Sequence, residues 1–493
     1  MAFQFSGERS VEHITDECPS TITKEAKMNT GVLVLVIYAI AMMIVTVTLT
    51  KKEKNVEQFC VGDRKGGWFT SALSIAATWI WAPALFTSAE KAYTNGFAGL
   101  FWFLVPNVAC LILFIPFAKR IRKEMPEGIT LSGYMYEKYN EKPVRNMYLF
   151  QLGALSILST GVQLLAGSKL LSALTGIPFW TMTIIMALVA YSYSQFSGIR
   201  ASITTDALQM IFMLVTGIGF VIYCLSNGGF TALSNGLGGF TGEFHSLISR
   251  NGLDVFLGFG LPTTIGLLSG PFGDQCFWQR AFCTEEKHIG RAFFVGAVLF
   301  GLVPLSMGIL GFIAAGDGFV VHDIGVLNFE VISEYLPGWC IIPFLFMIVS
   351  GLLSTIDSNL CAISSLTTDF RTKRPMEVAK GAMILLLILG CLVANIPGLT
   401  VTHLFLFYGT LRAATLLPTI FTLKGVKISS EAIVKGIKTA LIIGLPIFAF
   451  GNILDIAMLK TAGSLITVLT SGVLAVVITK MKTSGGISKW KKR

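Results

Sequence analysis

Charge is what this chain has least of. Only 13% of its 493 residues are Asp, Glu, Lys or Arg, against 53% hydrophobic, and the mean hydropathy is +0.70. That balance excludes a water-soluble globular enzyme, in which about a quarter of residues are charged. Long polar segments are also missing: the largest, at 119–145, 227–251 and 316–339, are too short to hold a soluble domain. The 5 histidines stand singly, and no HExxH, GxSxG or pair of membrane carboxylates offers catalytic machinery. The 9 cysteines form no CxxC and no Cys/His cluster, and most fall inside apolar runs or at their ends. Neither a metal centre nor a disulfide framework follows, and the cysteines read as packing residues. Residues 1–27 are polar without the charged-then-apolar order of a signal peptide, and Met28 is an alternative start.

What the chain has is apolar runs of membrane-spanning length. At about 17 to 25 residues per crossing, thirteen helices are expected, at roughly 30–50, 68–91, 97–118, 146–172, 178–194, 203–226, 252–275, 290–316, 340–368, 377–396, 400–423, 436–453 and 461–480. The expected organisation is a polar tail (1–29, its first 27 residues dispensable), one membrane domain (30–480) and a basic tail (481–493). The net charge of +10 raises nucleic acid as a partner, but the basic residues sit in the connections between apolar runs. Of the 38 Lys and Arg, alternate connections place 30 on one side and 6 on the other, with Lys169 and Arg412 inside spans. The rule that cytoplasmic loops are the basic ones puts the N-terminus outside, the C-terminus in the cytoplasm, and the chain in a plasma or inner membrane. Lipid and a small solute, not nucleic acid, are the implied partners; the sequence leaves the oligomeric state open.

Two of the runs are interrupted. In SIAATWIWAPALFTSAEKAY (Ser74–Tyr93) a proline, Pro83, stands in mid-span, and in LLSGPFGDQ the pair Gly270-Pro271 follows Pro262. Each run opens a set of five expected helices, 68–226 and 252–423, and an odd number makes the two sets face opposite ways. Matched Gly/Pro interruptions in inverted halves point to a transporter site, where unwound backbone lends carbonyls to an ion or solute. A proline in a membrane helix also serves simply as a kink. In GLLSTIDSNLCAISSLTTDF, Gly351, Ser354 and Thr355 stand at i, i+3 and i+4, bringing one carbonyl and two hydroxyls to one face. Oxygens so placed suit a hard cation; the same stripe of small residues equally suits close helix packing.

Four ordered motifs, GGWFTSALSIAATWIWAP, GIRASITTDALQ, DQCFWQR and LSTIDSNLCAISSLTTD, make the chain similar to the sodium/solute symporter family from residue 30 onward. The resemblance implies an all-α polytopic fold of thirteen helices. Its second to sixth and seventh to eleventh helices form an inverted five-plus-five repeat (the LeuT-like fold), with one extra helix before and two after. It further implies a sodium ion held by the carbonyls of Ala77, Ile80 and Gly351 and the hydroxyls of Ser354 and Thr355, and places Asp206 on the ion's cytoplasmic exit path. Read without the family, Asp206 is equally a helix cap or a partner of Arg200. Trp79, at the position where some relatives add a further ligand, leaves one sodium per cycle as the implied stoichiometry. The patterns from Thr78 to Trp102 and from Asp274 to Ala281 are most similar to the urea active transporter branch, from which Pro83 and Phe86 depart.

No charged residue lies between Trp68 and Ala89, so a neutral or zwitterionic solute is expected there. Trp79 and Trp81 offer flat faces and indole N–H groups at the break, or fill space between helices; Ala82 and Ser269 complete the candidate solute-contacting set. The expected function is sodium-driven import of such a solute by alternating access, urea first among candidates, with an amino acid or sugar as the alternative cargo. A passive channel is the competing class. A sensor is disfavoured by the short tail, and no enzyme activity is expected.

Overall fold

The computed structural model describes residues 24–490 apart from 52, 54 and 371. Most of the expected tail 1–29 and the last residues of the basic tail lie outside the described residues. Among them the chain is all α-helical, and eleven helices are long and apolar enough to cross a membrane. Two expected spans are not among the eleven, each for a local reason. The first is cut into Trp68–Trp79 and Ala82–Leu85, neither long enough to span alone. The second is the 19-residue helix Phe179–Ser197, whose final turns carry Ser192, Ser194 and Gln195 and so dilute its apolar density.

Burial sorts the helices into layers. In the most apolar windows of the spans Gly338–Asp369 and Val401–Leu423, 72% of residues are buried, whereas the figure is 28% for Gly31–Leu49 and Pro375–Ala394. The first pair forms the centre and the second the rim, where Leu33, Ile40, Ile44 and Leu392 are exposed apolar side chains suited to lipid. Small residues let helices close up, since apolar side chains gain nothing by leaving lipid for one another. Helices Phe230–Gly236 and Ile289–Gly316 touch through Gly236 and Gly316, where an added Cβ would fall 1.8 Å from Phe312 O and Ala232 O respectively. The closing hairpin, Ser430–Ile453 against Ala457–Trp490, is drawn together likewise at Gly444 and Gly463.

The interruptions fall where the backbone leaves helical geometry. Trp68–Trp79 ends at Ile80 (φ −80°, ψ 91°) and Trp81 (φ −112°, ψ 176°), both extended. Pro83 is not the breaking residue: it lies in the first turn of Ala82–Leu85, where a missing N–H is tolerated. Its effect is upstream, because it leaves the Trp79 carbonyl without an α-helical donor. Farther along the chain, Arg250–Val255 passes through a π-turn at Phe256–Gly260 into Leu261–Leu268. The short turn Gly270–Gly273 follows, and the chain straightens at Asp274 (φ −115°, ψ 115°) before Gln275–Cys283. Gly270 and Pro271 thus form a separate helical turn between two breaks.

At one end of the molecule the segment before Trp68–Trp79 and the end of Gln275–Cys283 are clamped through main chain. The amide of Gly66 donates to Cys283 O (3.0 Å), and that of Glu285 returns a bond to Gly66 O (3.0 Å). Arg64 adds a bond to Gly128 O (2.6 Å). At the other end a cavity of about 1100 Å³ descends from Lys91, Asp323 and Lys460 to a floor that includes Phe86, Leu165 and Leu406. Its rim is charged. A hydrogen bond from Lys460 holds the Asp455 carboxyl below its usual range.

Candidate functional site

Breaking a helix inside a buried core frees backbone groups that need partners. The amide of Ala82, which a continuous helix would satisfy through Thr78 O, instead donates to Gln163 Oε1 at 2.7 Å. The freed carbonyls turn to helix Ile341–Leu366. Thr355 Oγ1 lies 3.1 Å from Ile80 O, 3.4 Å from Thr78 O and 3.3 Å from Gly351 O. Gly351 is needed where it stands: a Cβ there would meet Leu85 Cδ1 at 2.8 Å and Ile80 Cγ2 at 3.3 Å. Ile80, Gly351 and Thr355, chosen from sequence, therefore converge. The Ala77 carbonyl accepts the Ile80 amide at 3.1 Å.

Ser354, one residue before, faces a charged cluster. Its hydroxyl donates to Asp206 Oδ1 at 2.5 Å, while Ser74 Oγ donates to Oδ2 at 2.7 Å. A hydroxyl that donates in this way keeps its lone pairs for a cation. Asp206 is paired with Arg280 at 2.9 Å, both side chains being at most 1% exposed. This corrects two expectations. Asp206 is neither a cap nor a partner of Arg200, which instead binds Glu53 and Asp63. Arg280, counted from sequence among loop residues, lies on the buried helix Gln275–Cys283 and also donates to Ser358 (2.7 Å) and Ser74 (3.0 Å). A second carboxylate, Asp357, accepts from Ser202 (2.6 Å) and Thr205 (3.3 Å). Arg280, Asp357 and Gln163 were not among the candidates drawn from sequence. An ionisable residue in a membrane segment is itself a signal, and it would have found Asp357.

The solute-contacting candidates lie between the two breaks. Trp79 and Trp81 stack with ring centroids 6.3 Å apart. Trp79 Nε1 donates to Asn107 O (3.2 Å), whereas Trp81 Nε1 has no hydrogen-bond partner among the described residues. Ser269 is spent locally, its hydroxyl donating to Gly266 O at 2.8 Å, and Ala82 is fully buried. Gly270 brings the halves together, since a Cβ there would fall 2.3 Å from Trp79 Cη2. The expectation that no fixed charge stands beside the break also needs correction: the buried Arg412 guanidinium lies 5.3 Å from the Trp79 ring and 5.8 Å from that of Trp81.

The sequence profile of the sodium:solute symporter family matches residues 59–423, which contain both breaks and helix Ile341–Leu366. The chain belongs to the sodium:solute symporter family. Its members are transporters, not enzymes. Among similar proteins, a probable urea active transporter of Schizosaccharomyces pombe is 26% identical over 361 residues, 67% of this chain and 53% of the relative. The chain thus spans about half the length of that relative. The sodium/pantothenate symporter of Escherichia coli is 23% identical, with 87% of this chain and 92% of the relative covered. The structure of a Na+-coupled sialic acid symporter in a substrate-bound, outward-open state superposes with a TM-score of 0.72 at 17% identity, covering 91% of this chain and 98% of that chain. The two share a fold.

Proposed function

We propose that this symporter uses a sodium gradient to import a small neutral or zwitterionic polar solute, urea being the leading candidate. The observation that carries the reading is the convergence of Thr355 Oγ1 with the carbonyls of Ile80, Thr78 and Gly351 at the interrupted helix. Such a set is all oxygen and uncharged, as suits an alkali cation that must be bound and released. Ala77, Ile80, Gly351, Ser354 and Thr355 would hold the ion. In this reading thirteen helices cross the membrane, 68–226 and 252–423 are inverted repeats, and the N-terminus is outside. The 1100 Å³ cavity then opens outward and the Gly66–Cys283 clamp closes the cytoplasmic end.

Sodium entering from the cavity would draw helix Ile341–Leu366 to the break and complete the solute pocket. Opening of the cytoplasmic clamp would release both, with Asp206 beside the ion's exit. One sodium entering down an inside-negative potential of 100 mV contributes about 2.3 kcal/mol, and a tenfold gradient about 1.4 kcal/mol. Together they limit accumulation of a neutral solute to roughly 500-fold. Urea rests on the similarity to urea active transporters, including that of S. pombe. The test is uptake of radiolabelled urea into proteoliposomes with and without an inward sodium gradient. Uptake that rises with the gradient and with inside-negative voltage is expected; urea flux indifferent to both would make the protein a passive channel.

A further inference from the structure

The strongest unspent chemistry in the molecule is Arg412. It is fully buried on helix Val401–Ala413, just before the chain loosens at Ala414 and Thr415. Its Nε donates to Gly266 O at 2.7 Å, which fixes the plane of the guanidinium, yet neither Nη1 nor Nη2 has a hydrogen-bond partner among the described residues. A buried charged donor left unpaired is costly, and native cores rarely keep one without a use. Space has been cleared for it: a Cβ on Gly273 would lie 2.6 Å from Arg412 Cβ, and one on Gly270 would lie 3.2 Å from Cζ.

Its surroundings are aromatic and wanting in partners. The guanidinium carbon sits 4.6 Å from the Tyr408 ring, in addition to its approach to Trp79 and Trp81. Tyr408 donates to Asp274 Oδ2 at 2.9 Å, so a carboxylate stands one side chain away and balances the charge without occupying the fork. Three further buried polar atoms, on other elements, lack partners among the described residues. One is a donor, Trp81 Nε1; the others are Asn107 Oδ1, on the residue whose carbonyl takes the Trp79 indole, and Thr263 Oγ1, one turn before Gly266. The open donors of Arg412 and of Trp81, whose ring lies 5.8 Å from the guanidinium carbon, call for a solute that accepts hydrogen bonds. An overall balance of charge calls for a neutral one.

We infer that Arg412 is the solute's anchor. Its two free amino groups hold the carbonyl oxygen of a small planar amide, of which urea is the simplest, laid against Trp79 and Trp81. A fork of parallel N–H groups reads an sp² oxygen with a geometry that a lysine cannot reproduce. This inference rests on the reading of the chain as a solute symporter but not on the ion that drives it.

The test is titration of the purified full-length protein with urea, and separately with lactate as a carboxylate probe, read by tryptophan fluorescence at saturating sodium. Arg412→Gln is expected to weaken urea binding at least tenfold and Arg412→Lys at least threefold, while the midpoint of the sodium titration moves less than twofold. Unchanged urea affinity in Arg412→Gln overturns the assignment; should that variant not fold, Arg412→Lys decides it by the same criterion. A wild-type protein that binds lactate but not urea overturns the neutral-amide class, and one that binds neither overturns the pocket as a solute site. Urea binding that depends on Arg412 but not on sodium supports the anchor and refutes sodium coupling instead.

Discussion

Asp206 and Arg280, 74 residues apart in sequence, meet in a 2.9 Å ion pair sealed from solvent, and the free oxygen of Asp206 receives the hydroxyl of Ser354. The pair therefore ties helix Ile199–Cys224 to the helix after the second break and, through Ser354, to the helix that faces the first. Removing one partner strands a buried charge, which costs about 3–5 kcal/mol. Asp206→Asn and Arg280→Gln are each expected to lower thermal stability by that order. The double variant should recover part of the loss, because neither charge is then left alone. Equal or additive losses in the double variant would show that the two residues do not act as a pair.

Thr355 and Ser354 separate the ion reading from simple packing. Thr355→Ala removes the oxygen nearest the Ile80 carbonyl and should raise the sodium concentration for half-maximal uptake roughly tenfold, about 1.4 kcal/mol. Thr355→Ser keeps the hydroxyl and should stay close to wild type. Ser354→Ala should weaken sodium comparably and also cost stability, since it takes a donor from Asp206. Unchanged sodium dependence in both alanine variants would leave this cluster as packing alone.

Eleven of the thirteen expected spans and the interrupted stretches were legible because each is a local property: an apolar run of fixed length, or a proline and glycines inside one. What was not legible depends on partners far away in sequence. Arg280 follows an apolar run that ends near residue 275, which places it in a loop by sequence; only the fold shows Gln275, Gln279 and Arg280 turned inward on the buried helix Gln275–Cys283. Gln163 carries no motif, and its role exists only because the broken helix presents the Ala82 amide to it, 81 residues away. Pro83 marked the right neighbourhood but not the breaking residue, because a proline prefers the first turn of a helix to the gap before it. A survey of charges confined to 68–89 could not see that Arg412 is brought beside Trp79.

Trp81 offers a mild probe of the solute pocket. Its indole N–H is buried without a partner, while its ring packs on Phe405 (5.1 Å) and Tyr408 (5.4 Å). Trp81→Phe keeps an aromatic ring there but removes the unmet donor together with part of a buried indole, so thermal stability should fall by about 1–2 kcal/mol. If the donor serves the solute, the urea concentration for half-maximal uptake should rise about fivefold, close to the 1 kcal/mol of one hydrogen bond. Sodium dependence should be retained. An unaltered solute response would return Trp81 to packing.

Gly270 tests whether the two breaks work as one site. Its side-chain position is already filled, by Trp79 Cη2 at 2.3 Å and by Arg412 Cζ at 3.2 Å, so alanine there must displace the indole, the guanidinium or both. The backbone itself is not strained, because Gly270 does not adopt a positive φ; the whole effect is steric. Overpacking of this kind costs about 1–3 kcal/mol. Trp79 adjoins Ile80, whose carbonyl faces Thr355, so a displaced indole should disturb both ends of the break. Gly270→Ala is thus expected to weaken solute and sodium together, whereas Arg412→Gln should weaken the solute alone. Parallel titrations of both variants distinguish the cases. A Gly270→Ala protein that loses solute affinity with its sodium response intact would mean that the aromatic pair and the oxygen cluster are energetically separate, although they share a stretch of backbone.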